Sequence, residues 1–384
     1  MIKGTYVFYQ DGKEICRSSN IITKFGKRFL TNFIAGNITA TQKDMAFGID
    51  RKEALVTAAS ASAGTVTYTA NNYFAVGDVV SITGLSTSAF NLTNVTVASR
   101  STTQFTVTNA ATGTAVSGST SGRSFKKATE NDTRLGFEFY RLPVLFGSTD
   151  IETSGGISTY SVIYKTTIPQ DVVAEISEVG IYPSTRTSVN NFDSQYISDF
   201  SDALLWADSS LSNPTVSTSN YKIGGNLLTM SSNGTAAREY ISDINPLDFS
   251  GYSVNDSISF AYYKEDSNLS SIKLRFYNTT TKYYEITITP QSGLGYKIVP
   301  DISLGTIFSG SVNSPDKKNI TQIGIIVTPN SSTTTSIGAD GLRINDEDTF
   351  DPEFGLISRS VFALPLSKLA GRPVDVEYRL DLDF

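Results

Sequence analysis

The stretch Glu178-Val179-Gly180-Ile181-Tyr182, read together with Gly355-Leu356-Ile357-Ser358-Arg359 far downstream, decides the fold. Both are short apolar runs of the kind that pair as the two strands of a hairpin. The residues between them carry a strand pattern of their own, so residues 195–348 read as a domain inserted at the hairpin's tip. A second insertion reads at 53–130. What remains, 1–52 with 131–194 and 349–384, forms one split base domain.

Composition supports an all-β chain. Charged residues are 18% of the 384, below the usual ~25%. Ser, Thr and Asn fill the polar positions beside 19 Tyr and 22 Phe, and uncharged polar residues alternating with aromatics suit strands. The net charge of −6 and the scattered basic residues argue against a nucleic-acid groove. Nothing approaches the ~20 apolar residues of a membrane span, and the amino terminus opens on a strand rather than on the apolar core of a signal peptide. The chain has no histidine and one cysteine, Cys16. This removes the commonest general base, the thiolate zinc site and any intrachain disulfide. Cys16 reads as a buried strand thiol.

In chain order, 2–9 and 14–18 form a hairpin around Gln10-Asp11-Gly12-Lys13. Phe25, Phe29, Phe33, Leu30 and Ile34 fall at helical spacing and predict one helix over 24–35, capped by Thr23 and ended by Gly36. The Ala-, Ser- and Thr-rich segments 55–63 and 112–122 read as linkers around four short strands. In 172–182 the alternation slips, which predicts a β-bulge near Ser177-Glu178. Eight strands between Leu227 and Asn345 give a sandwich count. The last strand, Val374–Phe384, alternates throughout, with even positions facing a core and Phe384 tied down. The fold class expected is mainly β: a split β-sandwich base with one helix, carrying a small β-barrel and a jelly-roll sandwich.

Several pieces resemble known families. Asn20-Ile21-Ile22-Thr23, Leu135…Glu138…Arg141…Pro143, the opening pair of strands, Phe362…Pro365…Lys368 and the alternating last strand together resemble the attachment domain of tailed-phage tail-fibre and baseplate proteins. In that family the first strand is followed within a few residues by the second; here the large insertion separates them. Gly77-Asp78, Ile82-Thr83-Gly84, Phe90-Asn91 and Asn94 resemble a small β-barrel module of phage structural proteins. Asp199-Phe200-Ser201-Asp202…Trp206, Tyr283-Tyr284-Glu285-Ile286, Gln322–Val327 and Ala339–Ile344 resemble the galactose-binding-like jelly roll of carbohydrate-binding modules.

The resemblances imply a structural component of a tailed-phage virion, made in the host cytoplasm, that docks by its base and displays β modules outward. Its place would be the tail fibre or baseplate, the neck, or the capsid as decoration. Other virion proteins and further copies of the chain would be its partners, with no nucleic acid and no membrane. The alternative is an adhesin that binds a receptor or host surface glycan through 195–348. Sugar rings stack on exposed aromatic faces beside planar polar groups, which singles out Tyr262, Tyr263, Arg275, Tyr277, Tyr283 and Tyr284. Neighbours in a strand face opposite ways, so one of Tyr262/Tyr263 and one of Tyr283/Tyr284 must point outward; ordinary cross-strand packing uses tyrosines in the same way. The jelly-roll resemblance also implies a structural calcium ion, for which Asp199, Asp202 and Asp340 are the candidate ligands, although such acids equally cap turns. No enzyme is expected. The acidic clusters Glu265-Asp266 and Asp346-Glu347-Asp348 read as solvated turns rather than as a pair of carboxyls held across a cleft.

Overall fold

The computed structural model describes residues 2–37, 43–116, 122–154, 157–183, 195–330, 333–345 and 355–383. Phe384 and the Asp346-Glu347-Asp348 cluster lie outside them. The chain divides into two compact units: Met1–Asp171 with Ile176–Thr185 and Asp351–Phe384, and Val172–Glu175 with Arg186–Phe350.

The first unit opens with the hairpin β1 (Ile2–Gln10) and β2 (Lys13–Ser19), then β3 (Ile21–Ile22), α1 (Lys24–Ile34) and β4 (Lys43–Gly48). The Thr23 hydroxyl accepts from the Gly26 amide and caps α1, satisfying one of the orphan donors of a helix start. A Cβ at Gly26 would overlap the Ile357 carbonyl, so only glycine lets the helix sit this close. Phe29 is buried, whereas Phe33 and Ile34, also on the predicted apolar stripe, are exposed. Cys16 is half-buried on the edge strand β2.

Seven strands make the barrel: β5 (Ala54–Ser62), β6 (Thr65–Ala70), β7 (Val79–Thr83), β8 (Val95–Arg100), β9 (Gln104–Thr108), β10 (Gly113–Val116) and β11 (Arg123–Lys126). They run β10-β5-β11-β7-β8-β9-β6, and β6 pairs back onto β5, which closes the ring. The expected linker 55–63 is therefore almost wholly a strand, and residues 113–116 of the expected linker 112–122 form another, with 117–121 outside the described residues. Residues 54–62 alternate in burial with Ala54, Val56 and Ala59 inward. Small side chains and a register shift between Val56 and Ala58 hide that alternation in the sequence.

The unit's main sheet is completed by β12 (Glu138–Ser154), β13 (Ile157–Ile168), β14 (Ala174–Pro183), β27 (Ser358–Lys368) and β28 (Val374–Asp383). Nine strands run β2-β1-β28-β13-β12-β4-β14-β27-β3. The long β12 pairs β4 through residues 138–144 and β13 through 145–154, so one sheet folds over into two facing halves. Phe8 of one half meets Phe47 and Phe362 of the other, with ring centroids at 6.4 and 5.3 Å. On β28, Val374, Val376 and Tyr378 are buried in this core.

The opening stretch lies at the centre of the second half. β14 runs against β4 from Glu178↔Gly48 to Pro183↔Lys43 without a register shift, so the strand is regular on this side from Glu178 onward. A register shift lies in β12, on the other side of β4, between Glu138 and Tyr140. Every residue of β14 from Ile176 to Pro183 is buried, and a strand covered on both faces loses the alternation that marks a half-buried one. β14 neighbours β27, and the Ile357 amide donates to the Ile181 carbonyl. Across this pair Arg359 donates to Glu178 Oε2 through Nε (3.0 Å) and Nη2 (2.6 Å), and to Asp132 through Nη1 (2.8 Å). Glu178 also accepts from the Gly136 and Phe137 amides, so this buried ion pair has its remaining lone pairs used.

The second unit is a jelly-roll-type sandwich. Its strands are β15 (Gln195–Ser198), β16 (Trp206–Asp208), β17 (Thr215–Ser217), β18 (Leu227–Ser231), β19 (Arg238–Leu247) and β20 (Ser257–Lys264). They continue with β21 (Leu269–Thr279), β22 (Lys282–Ile288), β23 (Gly295–Ser303), the short helix α2 (Leu304–Ser309), β24 (Ser311–Val312), β25 (Ile320–Pro329) and β26 (Ser336–Asn345). One sheet runs β17-β18-β26-β20-β23 with β15 on β26, so the first and last strands lie side by side. The other runs β16-β19-β25-β21-β22-β24. Phe260, Tyr262, Ile272, Phe276, Ile325 and Leu342 are among the side chains buried between them. Trp206 belongs to this core, stacked on Phe200 with centroids 5.1 Å apart.

Candidate functional site

Period-two alternation sorts the six candidate aromatic and arginine positions. Tyr262 and Tyr284 face the core; their hydroxyls accept from the Gln291 amide and donate to the Pro315 carbonyl, respectively, and neither ring is open to a ligand. Their neighbours Tyr263 and Tyr283 turn outward, on different sheets, and both are half-buried. Tyr283, Tyr277 and Arg275 converge on the outer face of the β16–β24 sheet.

Register builds that face. The β21–β22 hairpin sets Tyr277 opposite Tyr283 and Arg275 opposite Glu285. On the other flank β25 sets Gly324 opposite Arg275, and β19 lies beyond it with Glu239 opposite Ile326. Arg275 is the hub. It donates through Nε to Glu285 Oε2 (2.7 Å) and through Nη1 to Glu239 Oε2 (3.0 Å) and the Tyr277 hydroxyl (3.2 Å). Its guanidinium carbon lies 4.5 Å from the centre of the Tyr283 ring. The Tyr277 hydroxyl donates to Glu239 Oε1 at 2.5 Å, and Lys273 Nζ to Glu285 Oε1 at 2.7 Å. The two rings stand 5.1 Å apart at 57°.

Gly324 makes room for this. A Cβ there would overlap the Glu239 carboxylate and lie 2.9 Å from the Tyr277 ring. Of the two tyrosines, Tyr277 is covered by its neighbours and Tyr283 stays partly exposed. At the same end of the face Gln322 donates to Asp243 at 2.7 Å. Burial pushes the Glu285 carboxyl up, but hydrogen bonds from Lys273 and Arg275 outweigh it and hold the group below the ordinary value. Burial and the Glu239 carboxylate together push the Tyr277 phenol well above its ordinary value, so it stays a donor.

Glu239, Glu285, Lys273, Gln322 and Asp243 were not singled out from the sequence. The Arg275–Glu285 pairing was within reach, since a tight turn after Tyr277 fixes which residues of 272–278 and 282–288 oppose each other. Glu239 was not, because it arrives by way of β19 and β25.

The three candidate calcium ligands do not converge. Asp199 Oδ1 accepts from the Ser201 amide (3.0 Å) and hydroxyl (2.7 Å), and Asp202 Oδ1 from the Leu204 amide (2.9 Å). Asp340 is fully buried and accepts from the Lys222 amide (2.9 Å), the Ile223 amide (3.4 Å) and the Tyr296 hydroxyl. Burial pushes its carboxyl up to about 7. Among the described residues no group of three His, Cys, Asp or Glu can hold a metal ion. Glu265 and Asp266 tie their turn to Thr229, Thr335 and Ser336.

No protein-family model matches the chain, and no curated protein sequence matches it. Among solved structures it is similar to PfGH50B, at 11% identity and a TM-score of 0.29 over 39% of this chain and 24% of that one. It is also similar to the family 30 carbohydrate-binding module of a cellulosomal cellulase of Clostridium thermocellum, at 15% identity and a TM-score of 0.32 over 40% of this chain and 98% of that one. A further structure of a family 30 carbohydrate-binding module gives 15% identity and a TM-score of 0.33 over 41% and 90%. At these values the likeness decides nothing about function.

Proposed function

We propose that the sandwich of residues 195–345 binds a polysaccharide through the outer face of the β16–β24 sheet. The observation that carries this is the Arg275 hub: a partly exposed Tyr283 beside planar guanidinium and carboxylate groups that are already bonded into place. A pyranose ring presents an apolar face to stack on an aromatic and equatorial hydroxyls to hydrogen-bond, and a pre-ordered patch has little side-chain freedom left to lose. The patch binds and does not cleave in this reading. A general acid needs a carboxyl raised towards neutrality, and Glu285 is held below its ordinary value. Carbohydrate-binding modules among the similar structures agree with the reading without carrying it.

The test is a glycan array probed with the full chain. Binding to a defined polysaccharide that is lost in Tyr283→Ala supports the proposal; a folded chain that binds no glycan on the array refutes it.

A second reading concerns the first unit, which we propose as the docking part of a tailed-phage virion component, assembled as a homo-oligomer. Its support is that the separated pieces of the attachment-domain resemblance meet in one place, Glu178 on Arg359 and Thr23 on Leu356 and Ile357. No comparison bears on a virion. Antibody against the full chain should label intact phage particles in electron micrographs, and unlabelled particles would remove this reading.

A further inference from the structure

At one end of the sandwich, away from the Arg275 face, two lysines sit inward. Phe260↔Val299 and Tyr262↔Lys297 are cross-strand pairs of β20 and β23, and Phe260, Tyr262 and Val299 belong to or pack against the core. Lys297 and Lys264 continue that inner row as diagonal neighbours, close enough for long side chains to meet. They are 5% and 8% exposed. A lysine this covered ordinarily has a carboxylate beside it.

Here it does not. Lys264 Nζ donates to the Gln291 carbonyl at 3.2 Å, and the Lys297 amine has no hydrogen-bond or ion-pair partner among the described residues and keeps a little contact with solvent. The acids that follow Lys264 in sequence, Glu265 and Asp266, bond to Thr229, Thr335 and Ser336. Burial and the neighbouring Lys264 charge push the Lys297 amine down to about 8. Beside the lysines Gln291 donates its side-chain amide to the Ile298 carbonyl (2.6 Å), and its Oε1 is buried without a partner. Buried polar atoms are nearly always hydrogen-bonded, so the orphaned Gln291 acceptor, with an unpaired lysine amine at the solvent edge beside it, points to a common ligand.

We propose that Lys297, Lys264 and Gln291 form a binding site for a hydroxy-carboxylate, such as the uronic acid of an acidic polysaccharide. The carboxylate takes the lysine amines and an adjacent hydroxyl donates to Gln291 Oε1. A bare inorganic anion satisfies the first requirement and not the second, and a neutral sugar the second and not the first. The site shares no residue with the Arg275 face and stands independently of it.

Acylation of the full chain at pH 8, read residue by residue in a mass spectrometer, tests this. Burial and Lys264 lower the Lys297 amine, so a larger share of it is neutral at this pH than of an ordinary lysine, and its labelling is read relative to that of exposed lysines. D-glucuronate in excess is expected to slow its labelling about fivefold or more relative to exposed lysines. Glucose should leave it unchanged, and Tyr283→Ala should keep the protection. Absence of protection by glucuronate overturns the site, and equal protection by sulfate overturns the hydroxy-carboxylate assignment. Lys297→Met, which keeps the buried stem, should lose the rise in Tm that glucuronate gives the parent chain; a rise that survives also overturns it.

Discussion

Arg359→Met tests the organisation of the first unit most directly. The substitution keeps the buried stem and removes the cation from between Glu178 and Asp132. Glu178 is fully buried, and its carboxyl is already pushed up by burial although the Arg359 charge pulls it down. Without the cation it retains two backbone amide donors, from Gly136 and Phe137. Removing one partner of a buried pair typically costs about 3–5 kcal/mol. For a unit of roughly 200 residues, each kcal/mol moves Tm by about 2–4 °C, so a fall of about 6–20 °C is expected.

The assay is hydrogen exchange at the Val179 and Ile181 amides of the full chain, in a double-mutant cycle with Glu178→Gln. Neutralising Glu178 removes the charge that Arg359→Met strands, so the double variant should recover at least about 1 kcal/mol over the sum of the singles. The pH dependence has a definite sign. A carboxyl raised in the folded state stabilises below its ordinary value, and the contribution is lost as pH rises through the folded value. The deficit of Arg359→Met should therefore shrink in acid. Additive costs within about 0.5 kcal/mol would show that the two strands are not joined through this pair.

On the Arg275 face, Tyr283→Ala should weaken glycan binding about fivefold or more, from loss of a stacking surface worth about 1 kcal/mol or more, with the chain still folded. Gly324→Ala should fold, because the Glu239 carboxylate can swing away, yet it separates Glu239 from Tyr277; array binding should fall as far as in Tyr283→Ala, and full binding would show that the network is not needed. Asp340 gives the sandwich a pH slope: its carboxyl is raised from 3.8 to about 7, so its contribution falls as pH rises across that window. The change is at most about 4 kcal/mol, and exchange at the Ile337–Leu342 amides should show a flatter slope in Asp340→Asn.

Physical reasons separate what the sequence disclosed from what it hid. The α1 helix was legible because Thr23 can cap and the apolar spacing is helical, both local facts. The strand 54–62 was not, since alanines signal neither face. The alternation that defines a half-buried strand vanished in β14 because sheet neighbours and core cover both of its sides, and that loss read as a bulge. At the candidate site, alternation alone predicted that one tyrosine of each adjacent pair faces out. It could not choose which, nor bring in Glu239, because strand order in an antiparallel sandwich is non-local.

Asp340 shows how the same chemistry admits two uses until geometry decides. A carboxylate among loops offers hard oxygens, and these suit calcium or backbone amides equally. Calcium needs several such groups to converge, whereas amides need only that the loop at Lys222–Ile223 pass over the carboxylate. In this fold Asp199 and Asp202 are each committed to their own turn, and Asp340 receives both loop amides and the Tyr296 hydroxyl. Its buried charge thus ties the 222–223 loop to β26 through protein donors. The cost of burying it appears as a raised carboxyl rather than as affinity for an ion.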